Sequence, residues 1–205
     1  MGMVIAAIIG FWFGREVAPY RFQNASESRI RHALSEQFGS ADYHLLNHVT
    51  LRLHYGTTQI DHILVSRFGV FVIETKDYNG WIFAHASWET WTQVLYKAKF
   101  RFQNPLRQNQ GHVAAVRNLL DFLPPEQIYS LVAFTGKAEF KTPMPAGVFD
   151  VPGLIQHLQS RRSELMTLNR MQFCVGRLET ARLALSRETD VEHVASLKRR
   201  QSRRQ

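Results

Sequence analysis

Two neighbouring apolar segments of this 205-residue chain contain charged residues that a buried strand does not normally carry. Residues 59–65 read Gln-Ile-Asp-His-Ile-Leu-Val, and residues 70–76 read Val-Phe-Val-Ile-Glu-Thr-Lys. A buried carboxylate or ammonium group is costly unless it has a partner. Asp61, Glu74 and Lys76 are therefore the first candidates for a functional site.

Two carboxylates and a lysine are the groups that metal-assisted hydrolysis of a phosphodiester requires. Carboxylate oxygens bind Mg²⁺, which keeps several of its waters. The metal ion polarises the phosphate and lowers the pKa of a bound water. A nearby lysine positions that water and stabilises the developing negative charge. The alternative is an ordinary ion pair at the end of a strand. The predicted cofactor is Mg²⁺, with Mn²⁺ as a substitute.

The hydrophobic pattern predicts which elements carry these residues. Residues two apart in a strand share a face, so Glu74 and Lys76 lie on the side of Val70 and Val72. The alternating and helical patterns predict helices over residues 24–38, 104–122, 151–161 and 171–185, and strands over residues 43–55, 59–66, 70–77, 81–84, 88–96 and 128–134. This order predicts an α/β domain with a mixed central β-sheet flanked by helices.

These segments resemble the nuclease-related (NERD) domain, a family of the PD-(D/E)XK nuclease superfamily. The resemblance rests on residues 59–65, on Gly69 and the strand that follows it, on Asn79-Gly80, and on Asn104-Pro105 with Gln108 and His112. It extends over residues 24–134 and implies a restriction-endonuclease-like fold.

The resemblance also implies roles for individual residues. Asp61 and Glu74 would bind the metal ion together with the Thr75 carbonyl, and Lys76 would assist the nucleophile. Glu27 matches an acidic residue that contributes to the site from the first helix. It also completes a capping box with Asn24, which is the structural alternative. Gln108 would face the site from the following helix, where it could touch DNA or a metal-bound water; an amide on the helix surface is the alternative.

Two groups of residues are candidates for contacts with nucleic acid. A basic edge that contacts phosphates is predicted where Lys97, Lys99 and Arg101 alternate with Ala98, Phe100 and Phe102. His112 is a further candidate for a contact with nucleic acid. Three tryptophans are able to stack on bases, although aromatic residues in such strands are more often core: Trp81, Trp88 and Trp91. Five further histidines lack metal-ligand spacing and are interpreted as surface or core residues: His44, His48, His54, His62 and His85.

The two ends of the chain differ from the body in composition. Residues 1–13 carry no charge, and as a helix they would be roughly 20 Å long, shorter than the hydrocarbon core of a bilayer. Trp12 and Phe13 followed by Arg15 resemble an interfacial aromatic belt. The predicted layout is a membrane anchor at residues 1–14, a linker at 15–23, the nuclease-like domain at 24–186 in the cytoplasm, and a basic tail at 187–205. A buried or frayed N-terminal helix in a cytoplasmic protein is the alternative.

The net charge of +8 owes much to the C-terminus. Without the five cations of residues 198–205 the remainder carries +3. Such a tail attracts nucleic acid or anionic lipid, or else is a solvated end. The single Cys174 excludes an internal disulfide and a cysteine-based zinc site. The predicted function is metal-dependent hydrolysis of nucleic acid, in particular DNA, by a membrane-tethered enzyme. A nucleic-acid-binding or scaffolding module at the membrane is the alternative.

Overall fold

A computed structural model describes residues 25–202 of the chain. Its helices are α1 (Ala25–Gln37), α2 (Pro105–Leu119), α3 (Val151–Gln159), α4 (Leu168–Ala181) and α5 (Arg187–Ser202). Its strands are β1 (Tyr43–Leu53), β2 (Gly56–Ser66), β3 (Gly69–Lys76), β4 (Gly80–Phe83), β5 (Thr90–Leu95), β6 (Ala98–Gln103), β7 (Ile128–Phe134), β8 (Ala138–Phe140) and β9 (Val148–Asp150).

The larger sheet has the strand order β1-β2-β3-β7-β9. β1, β2 and β3 form an antiparallel meander, whereas β3, β7 and β9 run parallel. β3 lies at the centre, and every residue of it except Lys76 is buried. A strand covered on both faces is expected to be almost continuously apolar, which explains the run from Val70 to Ile73.

Helices cover both faces of this sheet. Phe71 and Ile73 of β3 pack with α1 and α3, in a cluster that includes Ile30, Leu34 and Leu154. The alternate residues pack with α2 and α4, in a second cluster that includes Val70, Val72, Val113, Val116 and Leu178. The two clusters separate residues of β3 by parity, as the strand pattern predicts. The mixed sheet with flanking helices is thereby confirmed.

A smaller sheet has the strand order β6-β5-β4-β8 and packs its inner face around Trp91. The sequence predicted strands at the positions of β4 and β5 but not β6 and β8. Gly80 at the start of β4 has φ 79°, and a Cβ there would lie 2.5 Å from the Val94 carbonyl oxygen. Only glycine fits this turn, in agreement with the Asn79-Gly80 signal.

The C-terminal residues form a helix where the sequence indicated a polar tail. α5 packs on β2, where the Thr57 hydroxyl lies 2.9 Å from Nδ1 of His193 and 3.2 Å from the Ser196 hydroxyl. Because α5 packs through polar side chains, its sequence has no apolar stripe at helical spacing. The helix could therefore not be predicted from hydrophobic periodicity. Arg187 and the residues up to Ser202 are therefore part of the folded body.

The predicted membrane anchor, the linker and Asn24 lie outside the described residues. Within residues 25–202, no helix is both long enough and apolar enough to cross a bilayer.

A candidate active site where two strands diverge

The site lies where β2 and β3 stop pairing. Their ladder ends at His62 and Ile73, but β3 remains paired with β7 as far as Lys76. Asp61 is the next residue of β2, and its Oδ2 accepts a hydrogen bond of 2.7 Å from the Thr75 backbone N–H. The carboxylate thus satisfies a backbone donor in the gap between the strands. It is brought beside Glu74, as the hairpin spacing predicted.

Glu74, Lys76 and Gln108 form a closed triangle of hydrogen bonds. Lys76 Nζ donates to Glu74 Oε1 at 2.6 Å, and Gln108 Nε2 donates to the same oxygen at 2.7 Å. Gln108 Oε1 accepts from Lys76 Nζ at 3.0 Å. Gln108 lies in the first turn of α2, so the helix N-terminus is held against the charged end of β3.

The N-cap of α2 fixes that helix start. The Asn104 side-chain oxygen accepts from the Leu106 N–H at 2.9 Å, and its amide nitrogen donates to the carbonyl oxygens of Ala86 and Trp88. Asn104 is fully buried. It therefore couples the orientation of α2 to the β4–β5 connection, and the Asn-Pro signal in the sequence marks this junction.

His112 lies one turn after Gln108 and packs behind Glu74. Its Nδ1 is 2.8 Å from the Thr58 hydroxyl, and its Nε2 is 3.2 Å from Glu74 Oε2. His112 is only 8% exposed. This position allows it to orient Glu74, and its predicted contact with nucleic acid stays a prediction. Thr58 gave no signal in the sequence.

The electrostatics of the two carboxylates differ. Burial and the negative charges of Glu74 and Glu27 raise the pKa of Asp61 well above its usual range. Burial also raises the pKa of Glu74, but Lys76 and His112 outweigh it and the net pKa is lowered. Burial lowers the pKa of Lys76, whereas Glu74 raises it further, so the net pKa is raised. Glu74 and Lys76 therefore form a charged pair, whereas Lys76 and the Thr75 N–H offset only part of the effect of burial and repulsion on the pKa of Asp61.

Glu27 is linked through His48 to Asp190 of α5. Its Oε2 lies 3.9 Å from Nδ1 of His48, and Nε2 of His48 lies 3.5 Å from Asp190 Oδ1 on α5. Gln59 Nε2 is 2.9 Å from the same histidine nitrogen and donates to Asp190 Oδ1 at 3.3 Å. The hydrogen bond with Glu27, ahead of the opposing effect of burial, raises the pKa of His48.

His48 owes this position to an irregularity of β1. Its φ is 53°, and the β1–β2 ladder skips from the Asn47–His62 pair to the Val49–Ile60 pair. The interruption faces the position of Asp61 on β2. His48 was predicted to be an ordinary surface or core residue, because an unpaired position in a strand has no sequence signal of its own.

The basic residues lie elsewhere. Lys99 and Arg101 are on β6 of the smaller sheet and Lys97 immediately precedes it, all three exposed. No hydrogen bond or ion pair joins them to the carboxylate site within residues 25–202. They are separate from the site residues, and their contact with phosphates stays a prediction.

The donor set fits a hard cation such as Mg²⁺. Glu74 Oε2 is buried and, apart from its 3.2 Å contact with Nε2 of His112, makes no hydrogen bond to residues 25–202, so it has capacity for a further ligand. Burial, followed by repulsion from Glu74 and Glu27, raises the pKa of Asp61, and a bound cation would offset both effects. No group of three or more His, Cys, Asp or Glu side chains in the described part is arranged to hold a metal ion. Mg²⁺ does not need one, because one or two carboxylates plus waters suffice.

Comparisons with known proteins agree with this geometry. The family model described as "Nuclease-related domain" matches residues 23–135. An uncharacterized protein of Bacillus anthracis, pXO1-01, is 32% identical over 171 residues, which cover 83% of this chain and 72% of the relative. The matched range contains Glu27, Asp61, Glu74, Lys76 and Gln108, whereas α5 lies beyond it.

Proposed function

The chain belongs to the nuclease-related domain family of PD-(D/E)XK-like nucleases, and from this we propose that it hydrolyses phosphodiester bonds of nucleic acid, in particular DNA, at a Mg²⁺ or Mn²⁺ site on a restriction-endonuclease-like core. The observation that carries the proposal is the convergence of Asp61, Glu74, Lys76 and Gln108 where β2 and β3 diverge. A buried cluster of this kind is costly to fold and is typical of a functional site.

Asp61 and Glu74, with the Thr75 carbonyl, would hold the metal ion. When bound, Mg²⁺ supplies charge neutralisation at the phosphate and activation of water. The Thr75 N–H fixes the orientation of the Asp61 carboxylate through Oδ2, and Oδ1 would be available to the cation. Gln108 and His112 hold Glu74 from α2, so both carboxylates are oriented before substrate arrives.

Lys76 acts as a cation and not as a base. Its pKa is raised by the neighbouring Glu74, so it stays protonated at neutral pH. A protonated amine donates hydrogen bonds, which suits the positioning of water and the stabilisation of the negative charge on the phosphate. Glu27 would contribute from α1 by adding negative charge next to Asp61, in keeping with its effect on the pKa of that residue.

A second candidate function is a binding module that does not cut. It is favoured by the saturation of Glu74 Oε1, which already accepts from Lys76 and Gln108. In that case the triangle would be a structural ion pair. The two functions differ in whether metal ions and Asp61 are required for a chemical product.

Cleavage of labelled plasmid and oligonucleotide DNA and RNA by the full chain, with Mg²⁺, Mn²⁺ or EDTA, tests the proposal. We expect metal-dependent products that fall below about 1% of the wild-type rate in Asp61→Asn and Lys76→Met. Asp121→Asn, an exposed carboxylate after α2, is the matched control and keeps full activity. Equal cutting by all variants indicates a contaminant. Binding with no cutting in any lane favours the binding module.

We further propose that residues 1–14 attach the protein to a membrane, with residues 24–186 in the cytoplasm and residues 15–23 as the linker. The support is the uncharged composition of residues 1–13 and the aromatic pair before Arg15. Deletion of residues 1–14 is expected to release the protein from the membrane pellet after a salt wash. Retention of the deleted protein in the pellet would refute the anchor.

A further inference from the structure

The outward face of the smaller sheet combines aromatic and basic residues. Strand register aligns Trp81, Val94 and Lys99 in one row across β4, β5 and β6, and Phe83, Thr92 and Arg101 in the next row. Residues directly opposite each other in antiparallel strands share a face. Within the described residues, the platform is defined as Trp81, Phe83, Lys99, Arg101 and Lys141.

The opposite face of this sheet explains why the platform faces solvent. Ile82 and Trp91 are fully buried in the cluster that joins the two sheets, and Phe102 packs against them. The alternate residues must then point away from that cluster. Trp81 is 48% exposed, and Lys99 and Arg101 are exposed as well. Base stacking and the core were the two alternatives for the tryptophans; Trp91 lies in the core, whereas Trp81 and Trp88 are exposed.

Positive charge flanks the aromatic rows on both sides. Lys99 and Arg101 lie on β6, two strand spacings or about 10 Å from β4. On the other side Lys141 follows β8, and its ammonium group lies over the Trp81 ring with Nζ 4.8 Å from the ring centre, so a base that stacks on this face displaces it towards the phosphate. Lys141 also pairs with Glu139, the one acidic residue of this row. Three cations and one anion thus surround two aromatic rings.

We propose that the platform binds single-stranded nucleic acid, with bases stacked on Trp81 and Phe83 and phosphates held by Lys99, Arg101 and Lys141. Stacking requires bases whose faces are free, which a duplex does not offer. The cations on both edges are complementary to a polyanion that crosses the sheet. This inference rests on the proposed function and deepens it by assigning a substrate class.

The platform adjoins the end of the larger sheet that carries the carboxylates. β4 begins at Gly80, shortly after Lys76 at the end of β3. β8 begins at Ala138, shortly after Phe134, which is the β7 partner of Lys76. Both connections leave the larger sheet where Glu74 and Lys76 lie, so the two sites belong to the same end of the domain.

Binding by the full chain in EDTA separates this proposal from catalysis. The probes are labelled oligothymidylate and oligouridylate of about 20 nucleotides, longer than the roughly 4–16 that comparable sheet domains cover, and a duplex of equal length. Fluorescence anisotropy gives the affinity at several salt concentrations. Trp81→Ala and the Lys99→Ala/Arg101→Ala pair test the platform. Trp88→Ala, an indole beside His85 in the β4–β5 connection, and Arg162→Ala, an exposed cation after α3, are matched controls.

We expect both single strands to bind more tightly than the duplex. Trp81→Ala weakens binding about tenfold, and Trp81→Phe restores most of the affinity because a stacking face is kept. Removing two cations lowers the slope of log K against log salt by about 1.4. The two control variants bind as the wild type does.

Several outcomes would overturn the proposal. These are preference for the duplex, equal binding by Trp81→Ala, or affinity only for vesicles with anionic lipid, which would identify a membrane surface. Metal-dependent cutting with unaltered binding in the platform variants refutes the platform and leaves the nuclease proposal intact. Platform-dependent binding without cutting supports the platform and refutes the nuclease.

Discussion

Replacing Asp61 by Asn is expected to stabilise the protein in EDTA and to abolish its response to metal ions. The pKa of Asp61 is raised by burial and by Glu74 and Glu27. For an acid whose pKa is raised on folding, stability is present below the unfolded pKa and is lost as pH rises through the folded pKa. At about pH 7, which is above the unfolded pKa, the carboxyl group of Asp61 therefore costs stability that the neutral amide of Asn does not cost.

The expected change in the free energy of unfolding depends on which interactions of Asp61 the substitution keeps and which it removes. The Asn oxygen still accepts the Thr75 N–H, so the backbone donor that Asp61 satisfies at 2.7 Å keeps its partner. What is removed is the cost of burying the carboxylate and its repulsion by Glu74 and Glu27. We expect the free energy of unfolding to rise by on the order of 1 kcal/mol, as is common when a functional residue that destabilises the fold is replaced. For a domain of this size, that corresponds to a rise in Tm of about 2–4 °C.

Metal ions should reverse the order of stability of the wild type and Asp61→Asn. A ligand at 100 times its Kd stabilises the folded state by about 2.7 kcal/mol, which exceeds the gain from the substitution. Wild type in Mg²⁺ should then be more stable than Asp61→Asn, which lacks a ligand. Thermal and urea unfolding in EDTA and in Mg²⁺ measure both effects, with Asp121→Asn as the control for removal of a surface charge.

Two results would refute this reasoning. If Asp61→Asn is less stable than wild type in EDTA at every pH, the carboxylate is compensated in a way that the surrounding charges do not indicate. If Mg²⁺ stabilises both proteins equally, the ion binds elsewhere and Asp61 is not its ligand.

Two further predictions concern residues around the site. Burial, followed by the charge of Arg31, lowers the pKa of His62 from 6.5 to about 4. The free energy of unfolding should therefore fall by about 2–3 kcal/mol as the pH drops from about 7 to about 4.5. Urea unfolding measures this change, and His62→Gln should lose most of it. A flat profile in wild type would contradict it. Asp190→Ala should slow cleavage about tenfold and shift its pH–rate profile, because His48 loses its contact on α5. Glu192→Ala, which removes an exposed pair from the same helix, should leave the rate unchanged; equal loss in both variants would mean that α5 acts only by stabilising the fold.

The sequence predicted the elements whose patterns are local. β7 was predicted with the bounds that the structure gives, because its apolar run is bounded by a proline signal before Ile128 and a glycine soon after Phe134. Glu74 and Lys76 were found because charge at the end of an apolar strand is unusual. Short strands and edge strands were not predicted. β6 has the pattern Ala-Lys-Phe-Arg-Phe-Gln, which was interpreted only as a basic edge.

The non-local part of the site could not be predicted. The hydrogen bond from the Thr75 N–H to Asp61 forms because the β2–β3 ladder ends at the His62–Ile73 pair. No residue type in the sequence indicates where such a ladder ends. The contact of His48 with Asp190 requires α5 to pack on β2, and that packing uses hydroxyl and imidazole groups instead of an apolar stripe. Polar interfaces have no hydrophobic period by which a sequence reveals them.

The asymmetry between the carboxylates decides which one governs metal binding. Glu74 has Lys76 as a counter-charge and Gln108 as a second donor on Oε1, so a cation gains little by neutralising it. Asp61 has one backbone donor and two repelling carboxylates, so a cation beside it removes an existing penalty. The affinity for Mg²⁺ should therefore depend more on Asp61 than on Glu74. In the proposed reaction Lys76, which is already paired with Glu74, would then act on the substrate phosphate.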